Sequence, residues 1–217
     1  YADCGGSSTF SFTDGSGNDD PFSVSAWVKF DNVTRARIVG KGDAEFLFTT
    51  DGDNKLSLFL WSAGGISAYL GQRWYAGSFS TGTWYHLTAT YDGSNSASGI
   101  KLYVDGSVVT LSDASVGSYL GMATGGSLLI GKWSYNDSAL DGIVDEVAIF
   151  DSELSASDVA AIYNSGSPAD LTSLSPVGWW RMGDGTEDGS GTTIYDMSSN
   201  SNNGTLTNGP TYSTSTP

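Results

Sequence analysis

The sequence predicts an all-β protein, a two-sheet antiparallel sandwich with one short helix near residues 156–164. Three observations carry that expectation: apolar and polar residues alternate with a period of two in many short runs, Asp-Gly pairs separate the runs, and a single stretch has helical spacing and caps. Glycine, at 29 of 217 residues, follows no three-residue period and therefore marks turns rather than a collagen-like rod. A chain of this length buries a full core as one sandwich.

The clearest strand runs from Phe22 to Phe30. Phe22, Val24, Ala26, Val28 and Phe30 share one face, and Ser23, Ser25, Trp27 and Lys29 the other. Similar runs predict strands over 45–49, 55–61, 84–91, 100–104, 127–131 and 143–150. Asp51-Gly52, Asp92-Gly93, Asp105-Gly106 and Asp141-Gly142 tolerate the positive φ of tight hairpins, and Asp105-Gly106 is the clearest of them. The helix lies between Leu154 and Gly166. Ser155 is its N-cap, Asp158 completes a capping box, Val159 and Ile162 share a face, and Gly166 closes the end in the left-handed conformation. A helix so short is marginal alone and is expected to dock on the sandwich. Past Pro168 the texture changes: residues 176–182 read as a strand, followed by a Gly- and Asn-rich stretch through Gly204 and a tail to Pro217. Trp179 and Trp180 seek burial, which argues against a mere linker.

With 24 acidic against 9 basic residues the net charge is -15, and no basic patch for a nucleic acid exists. That surface suits calcium, or simply an extracellular protein kept soluble by its acids. Cys4 is the only cysteine, so no intramolecular disulfide forms and a free thiol is expected. No run is apolar enough to span a membrane, and no signal peptide is legible in a stretch that reads equally as a mature fragment.

Four segments resemble the laminin-G-like family of concanavalin A-like jelly rolls in its bacterial and phage form. They are Phe22-Ser-Val-Ser-Ala-Trp-Val-Lys29, Ile38-Val-Gly-Lys-Gly-Asp43, Gly82-Thr-Trp-Tyr-His-Leu-Thr-Ala-Thr-Tyr-Asp-Gly93, and the run from Asp141 through Asp145-Glu146 to Ser155. The resemblance covers roughly the first 165 residues. It implies a jelly roll that binds glycans or proteins, commonly with a calcium ion at the rim. The tail, from Val177-Gly-Trp-Trp-Arg181 to Asn202-Asn-Gly-Thr-Leu206, resembles the segment that usually opens such a domain. Two arrangements follow. In one the chain is a circular permutant, a single unit over 1–217 with 176–217 returning to complete the sheets. In the other 1–167 is the sandwich and 168–217 a linker and the start of a second repeat.

Glycoside hydrolases of this fold need paired carboxylates facing the substrate. Here Asp145 and Glu146 are neighbours and point to opposite faces, and the Glu-x-Asp-x-Glu alternation is missing. His86 is the only histidine, lies mid-strand, and has no legible serine or Cys4 partner, nor a zinc set. Catalytic residues are therefore not expected. The loop from Asp14 to Asp20 gathers oxygen ligands without the EF-hand spacing. By resemblance the ion lies between such a loop and the Asp-Glu strand, which points to Asp14, Asn18, Asp20 and Asp145; the other reading is a solvated turn. Asp196, Asn200 and Asn202 would join if the tail folds back. Sugars stack on aromatic rings carried by loops, which points to Trp61, Tyr69, Trp74 and Tyr75 in the Gly/Ser-rich stretch 61–79, and to Trp133, Tyr135 and Asn136 in the stretch 131–141. Trp27, Trp84, Trp179 and Trp180 are assigned to the fold.

The expectation is a non-catalytic, calcium-assisted module that binds glycans or a surface protein on an extracellular or virion protein. The alternative is a decoration, fibre or assembly domain that meets copies of itself or neighbouring virion proteins; a third reading, a glycoside hydrolase, requires carboxylates from distant strands to converge. None involves nucleic acid or membrane insertion.

Overall fold

A computed structural model describes residues 1–62, 66–74, 76–136, 138–182 and 189–217. The strands are β1 (Ala2–Asp3), β2 (Phe22–Asn32), β3 (Arg37–Lys41), β4 (Phe46–Thr50), β5 (Leu56–Trp61), β6 (Tyr69–Trp74), β7 (Trp84–Tyr91), β8 (Ile100–Val104), β9 (Ser107–Val108), β10 (Leu111–Asp113), β11 (Leu128–Ile130), β12 (Asp141–Phe150), β13 (Gly178–Trp180), β14 (Gly189–Ser190), β15 (Thr193–Ile194) and β16 (Gly204–Leu206), with helix α1 (Ala156–Tyr163) after β12. They form a ten-stranded sheet in the order β10-β6-β5-β4-β3-β11-β1-β16-β15-β14 and a six-stranded sheet in the order β13-β12-β2-β7-β8-β9. The described pairings are antiparallel, and the two sheets face each other as the sandwich the alternation predicts.

The core follows from that alternation. Phe22, Val24, Ala26, Val28 and Phe30 are fully buried on one side of β2, against Phe46, Phe48, Leu56, Leu58 and Leu60 from β4 and β5. Phe22 anchors an aromatic cluster, with ring centroids 4.8 Å from Phe12, 4.9 Å from Phe46 and 6.0 Å from Tyr91.

Turn chemistry decides the connections. Asp105 (φ 48°) and Gly106 (φ 74°) both take positive φ, as the tight hairpin between β8 and β9 requires. Asp141-Gly142 is not a hairpin; it lies inside β12 at a register shift, where a Cβ on Gly142 would stand 2.3 Å from the Lys29 carbonyl oxygen. The capping box of α1 forms, with Ser155 accepting from the Asp158 backbone N–H and the Asp158 carboxylate from that of Ser155. The left-handed exit begins at Asn164 (φ 46°) and Ser165 (φ 58°), two residues before Gly166. Residues 69–74 form a strand rather than irregular chain. Gly71, Gln72 and Arg73 interrupt the apolar alternation that would have announced it.

The tail touches both sheets. β13 lies beside β12, with Val147 opposite Trp180 and Ala148 opposite Trp179, while β16 lies beside β1. The two tryptophans take opposite faces. Trp180 is fully buried in the main core, 5.7 Å from Phe10, and its indole N–H donates to the Asn202 carbonyl. Trp179 joins Val159, Ile162 and Phe150 on the other face of the same sheet. Cys4 is a buried free thiol, and burial pushes its pKa well up. Trp180→Ala is expected to cost about 3–5 kcal/mol in urea unfolding, because it opens a cavity in the core. Val108→Ala on the exposed hairpin is expected to stay within about 0.5 kcal/mol.

Candidate functional site

The outward faces of the two sheets differ. On the smaller sheet, Ser25, Trp27 and Phe150 point away from the core but are roofed by α1 and its flanking segments, which bring Leu154, Val159, Ile162 and Leu171 onto it. Trp27 stacks on Tyr163 at 5.8 Å. Among the described residues no such helix covers the larger sheet, and its β4–β6 region carries a cluster of aromatic side chains.

Strand period places them there. Turning Phe46 and Phe48 inward turns Leu47 outward, and turning Leu58 and Leu60 inward turns Phe59 and Trp61 outward. Tyr69 of β6 sits directly opposite Trp61. Trp133, from the loop after β11, stacks on Trp61 with centroids 4.7 Å apart and planes inclined by 25°, and its indole N–H donates to the Gly42 carbonyl at 3.1 Å. Tyr135 leans on Trp133 at 5.1 Å. Only the outermost ring of this stack is exposed: Trp61 7%, Trp133 6%, Tyr135 51%. The tryptophans are thus a support, and Tyr135 is the ring offered to solvent, with Phe59 and Tyr69 half-buried against Trp61. Gly71 keeps the floor flat, because a Cβ there would stand 2.6 Å from the Phe59 ring. The Arg37 guanidinium lies 5.7 Å from the Trp133 ring centroid.

Four of the predicted contact residues, Trp61, Tyr69, Trp133 and Tyr135, therefore come together. Asn136 sits beside them, and its side-chain oxygen accepts from the Ser138 backbone N–H, which shapes the turn. Trp74 stands apart: it packs on Phe79 at 5.4 Å, with Gly77 against its ring so closely that a Cβ would lie 1.7 Å from Cδ2. Tyr75 lies outside the described residues. Phe59 was missed, although its place two residues before Trp61 on one strand was the available signal.

Asp14, Asn18, Asp20 and Asp145 do not converge on one ion. Asp14 spends its oxygens on the Asn18 side-chain amide at 2.6 Å and the backbone N–H groups of Ser16 and Asn18, which hold its carboxyl below the usual carboxylate range. Asp145 pairs with Trp27, and its Oδ1 accepts from the Glu146 N–H at 2.8 Å. Seven residues of chain at about 3.3 Å each separate Asp20 from Trp27, so roughly 20 Å lie between the loop and Asp145. Among the described residues no three His, Cys, Asp or Glu gather as a metal set. The loop is instead tied down by Asp19, whose carboxylate accepts from the Tyr91 and Tyr119 hydroxyls and the Met122 N–H. Asp196 likewise accepts from the backbone N–H groups of Trp179, Ser198 and Asn202 and shapes the tail.

Simple alternation fails at Asp145-Glu146, because Glu146 (φ 48°) occupies a β-bulge. Its carboxylate receives the Trp179 indole N–H at 2.7 Å and Arg181 Nε at 3.0 Å. His86 has a serine neighbour that the sequence did not reveal, with Nε2 2.8 Å from Ser25 Oγ. Both residues are 1% exposed, and burial drives the imidazole pKa down to about 3, so this neutral pair holds the sheet beneath α1.

Two cavities open among the described residues. One of about 890 Å³ opens at the sandwich edge, where Asp31, Asp145, Met182, Ile194 and Tyr212 line it. Another of about 510 Å³ is lined by Asp43, Glu45, Thr124 and Ser127. Glu45 is 1% exposed, its Oε2 3.5 Å from Lys41 Nζ and accepting from Ser11 Oγ. Burial raises its pKa to about 7 against the opposing pull of Lys41.

The family model described as the concanavalin A-like lectin/glucanases superfamily matches residues 4–160. Comparison with curated proteins returns no match. Among solved structures, a candidate carbohydrate binding protein from Bacteroides ovatus aligns with a TM-score of 0.61 at 20% identity, over 86% of this chain and 51% of that one. The chain thus spans about half the length of that structure. Domain 4 of AbnA, a GH43 extracellular arabinanase from Geobacillus stearothermophilus, in complex with arabinotriose, aligns at a TM-score of 0.49 and 21% identity, over 67% of this chain and 68% of that one. A heptameric SAP-like pentraxin from Limulus polyphemus aligns at 0.48 and 17%, over 66% of this chain and 70% of that one. At 20% identity the likeness to the Bacteroides ovatus structure shows the fold alone.

Two outcomes test this description of the acidic residues. Since the Asp14 loop closes on its own hydrogen bonds, thermal unfolding in calcium and in excess EDTA is expected to agree within about 1 °C; a rise of several degrees in calcium would reveal an ion bound to the folded state. Glu45 titrates near 7 folded and near its ordinary 4.5 unfolded, so its contribution to stability is full below 4.5 and is lost as pH rises to about 7. That loss is on the order of 3 kcal/mol, and denaturant titrations of Glu45→Gln across this window are expected to lack it.

Proposed function

The chain belongs to the concanavalin A-like lectin/glucanases superfamily, and on that premise we propose that it is a non-catalytic glycan-recognition module of an extracellular protein. One observation carries the reading: the outer face of the larger sheet presents Tyr135 on the stacked pair Trp61–Trp133, with Phe59 and Tyr69 against Trp61. A sugar ring has apolar faces that stack on such a surface and hydroxyls that bond to its polar rim. The rings of the stack are held by their mutual packing and the Trp133–Gly42 hydrogen bond, which limits the ordering that binding would have to impose. The pairings of the tail with both sheets support the reading of residues 1–217 as one unit behind the face.

Two features favour binding over hydrolysis. The Glu146 carboxylate is occupied by Trp179 and Arg181, and the Glu45 carboxylate, near the aromatic stack, is buried against Lys41 and Ser11. The proposal does not depend on calcium.

A glycan array followed by calorimetric titration tests the proposal. Tyr135→Ala is expected to weaken the best ligand about tenfold, or ~1.4 kcal/mol, while Tyr212→Ala at the edge cavity leaves it unchanged. Failure of every glycan to bind, or full affinity in Tyr135→Ala, would defeat it. In that event the exposed apolar side chains of Ile66, Val116 and Leu120 make assembly with another protein the next reading to test.

A further inference from the structure

We propose that this face takes an acidic glycan, one whose sugar carries a carboxylate, and that Arg37 receives that carboxylate. The inference rests on the reading of the face as a glycan site and names the class of sugar it selects.

Acidic residues outnumber basic ones by 24 to 9 in this chain, so a cation here ordinarily finds a carboxylate. Several do: Lys41 pairs with Glu45, Arg73 with Asp51 and Asp53, Lys101 with Glu153, and Arg181 with Glu146. Arg37 does not; no acidic residue ion-pairs with it among the described residues. It is nonetheless only 7% exposed. Nη1 donates to Thr49 Oγ1 at 3.0 Å, and Nε is buried with no hydrogen-bond partner. The charge that bears on it is that of Arg35, which with burial lowers the pKa of the guanidinium. A cation held out of water, beside another cation and without a counterion, is a costly arrangement. The cation–π contact with Trp133 offsets only part of that cost.

The position of this unpaired fork is what makes it informative. Arg37 lies opposite Thr49, Thr49 opposite Ser57, and Ser57 opposite Arg73, so one cross-strand row runs between two arginines over short side chains. Arg73 is already paired with Asp51 and Asp53, which leaves Arg37 as the end of the row that lacks an anion. It is also the end beside the ring stack. A sugar seated on Tyr135, next to Trp133, therefore brings a ring carboxylate toward the guanidinium, a charge-assisted donor to carboxylates. The ligand would supply the counterion that the chain withholds.

The experiment compares sugars that differ only in charge. Oligogalacturonate and sialyl-lactose are titrated beside their methyl esters at low and at physiological salt, with the full chain and with Arg37→Gln and Arg37→Lys. At least one acid is expected to bind tenfold or more tightly than its ester. Arg37→Gln is expected to abolish that preference while leaving the ester's affinity in place, and Arg37→Lys to restore part of it. Equal affinity for acids and esters in the unaltered chain overturns the inference even if Arg37→Gln fails to fold, as does a preference that survives Arg37→Gln. Binding of neutral glycans alone would sink the inference and leave the proposed function standing. Absence of binding by any glycan would remove both.

Discussion

A β-strand cannot turn one residue inward without turning the next outward, and that constraint organises this molecule. In β5 the inward set is Leu56, Leu58 and Leu60, so Phe59 and Trp61 are delivered to the far side of the sheet. Large aromatic rings on a sheet surface seek cover, and the chain solves this differently on its two sides. Over the smaller sheet it lays a capped helix, whose Val159 and Ile162 close Trp179 and Phe150 away. Over the larger sheet it brings a single loop, whose Trp133 covers Trp61 and leaves Tyr135 in the open. The candidate site is the incomplete half of that pair of solutions.

The polar residues follow the same logic. Facing carboxylates and imidazoles are taken up by the framework: Asp19 by two tyrosine hydroxyls and a backbone N–H, Glu146 by Trp179 and Arg181, His86 by Ser25. Each of these groups has a partner, as burial in a low-dielectric interior requires. Arg37 keeps a buried Nε without one beside the aromatic stack, where an outside partner could complete it. Departures of this kind from local satisfaction are where a binding function is read most directly.

Much of the fold was legible because its signals are local. The run from Phe22 to Phe30 announces both of its faces, Asp105-Gly106 announces a hairpin, and Ser155 with Asp158 announces a helix start. β6 was not legible, since Gly71-Gln-Arg73 carries no alternation. The site was legible only in part, for a different reason. Trp61 and Trp74 look alike in sequence, each beside Gly- and Ser-rich chain, yet one supports the outer face and the other packs beneath Gly77. What separates them is the ladder order, which sets β11 against β3 and so carries Trp133 over Trp61. The solitude of Arg37, the contact of Ser25 with His86 and the scatter of Asp14, Asp20 and Asp145 are equally products of long-range placement.

The central claim is that ligand meets the chain on the aromatic face of the larger sheet. The seven tryptophans give seven indole N–H reporters for a ¹H–¹⁵N NMR titration with a bound oligosaccharide. The account predicts that the Trp133 and Trp61 signals move with ligand while those of Trp27, Trp179 and Trp180 stay fixed. Saturable binding that leaves Trp133 unmoved would contradict it and place recognition elsewhere on the molecule.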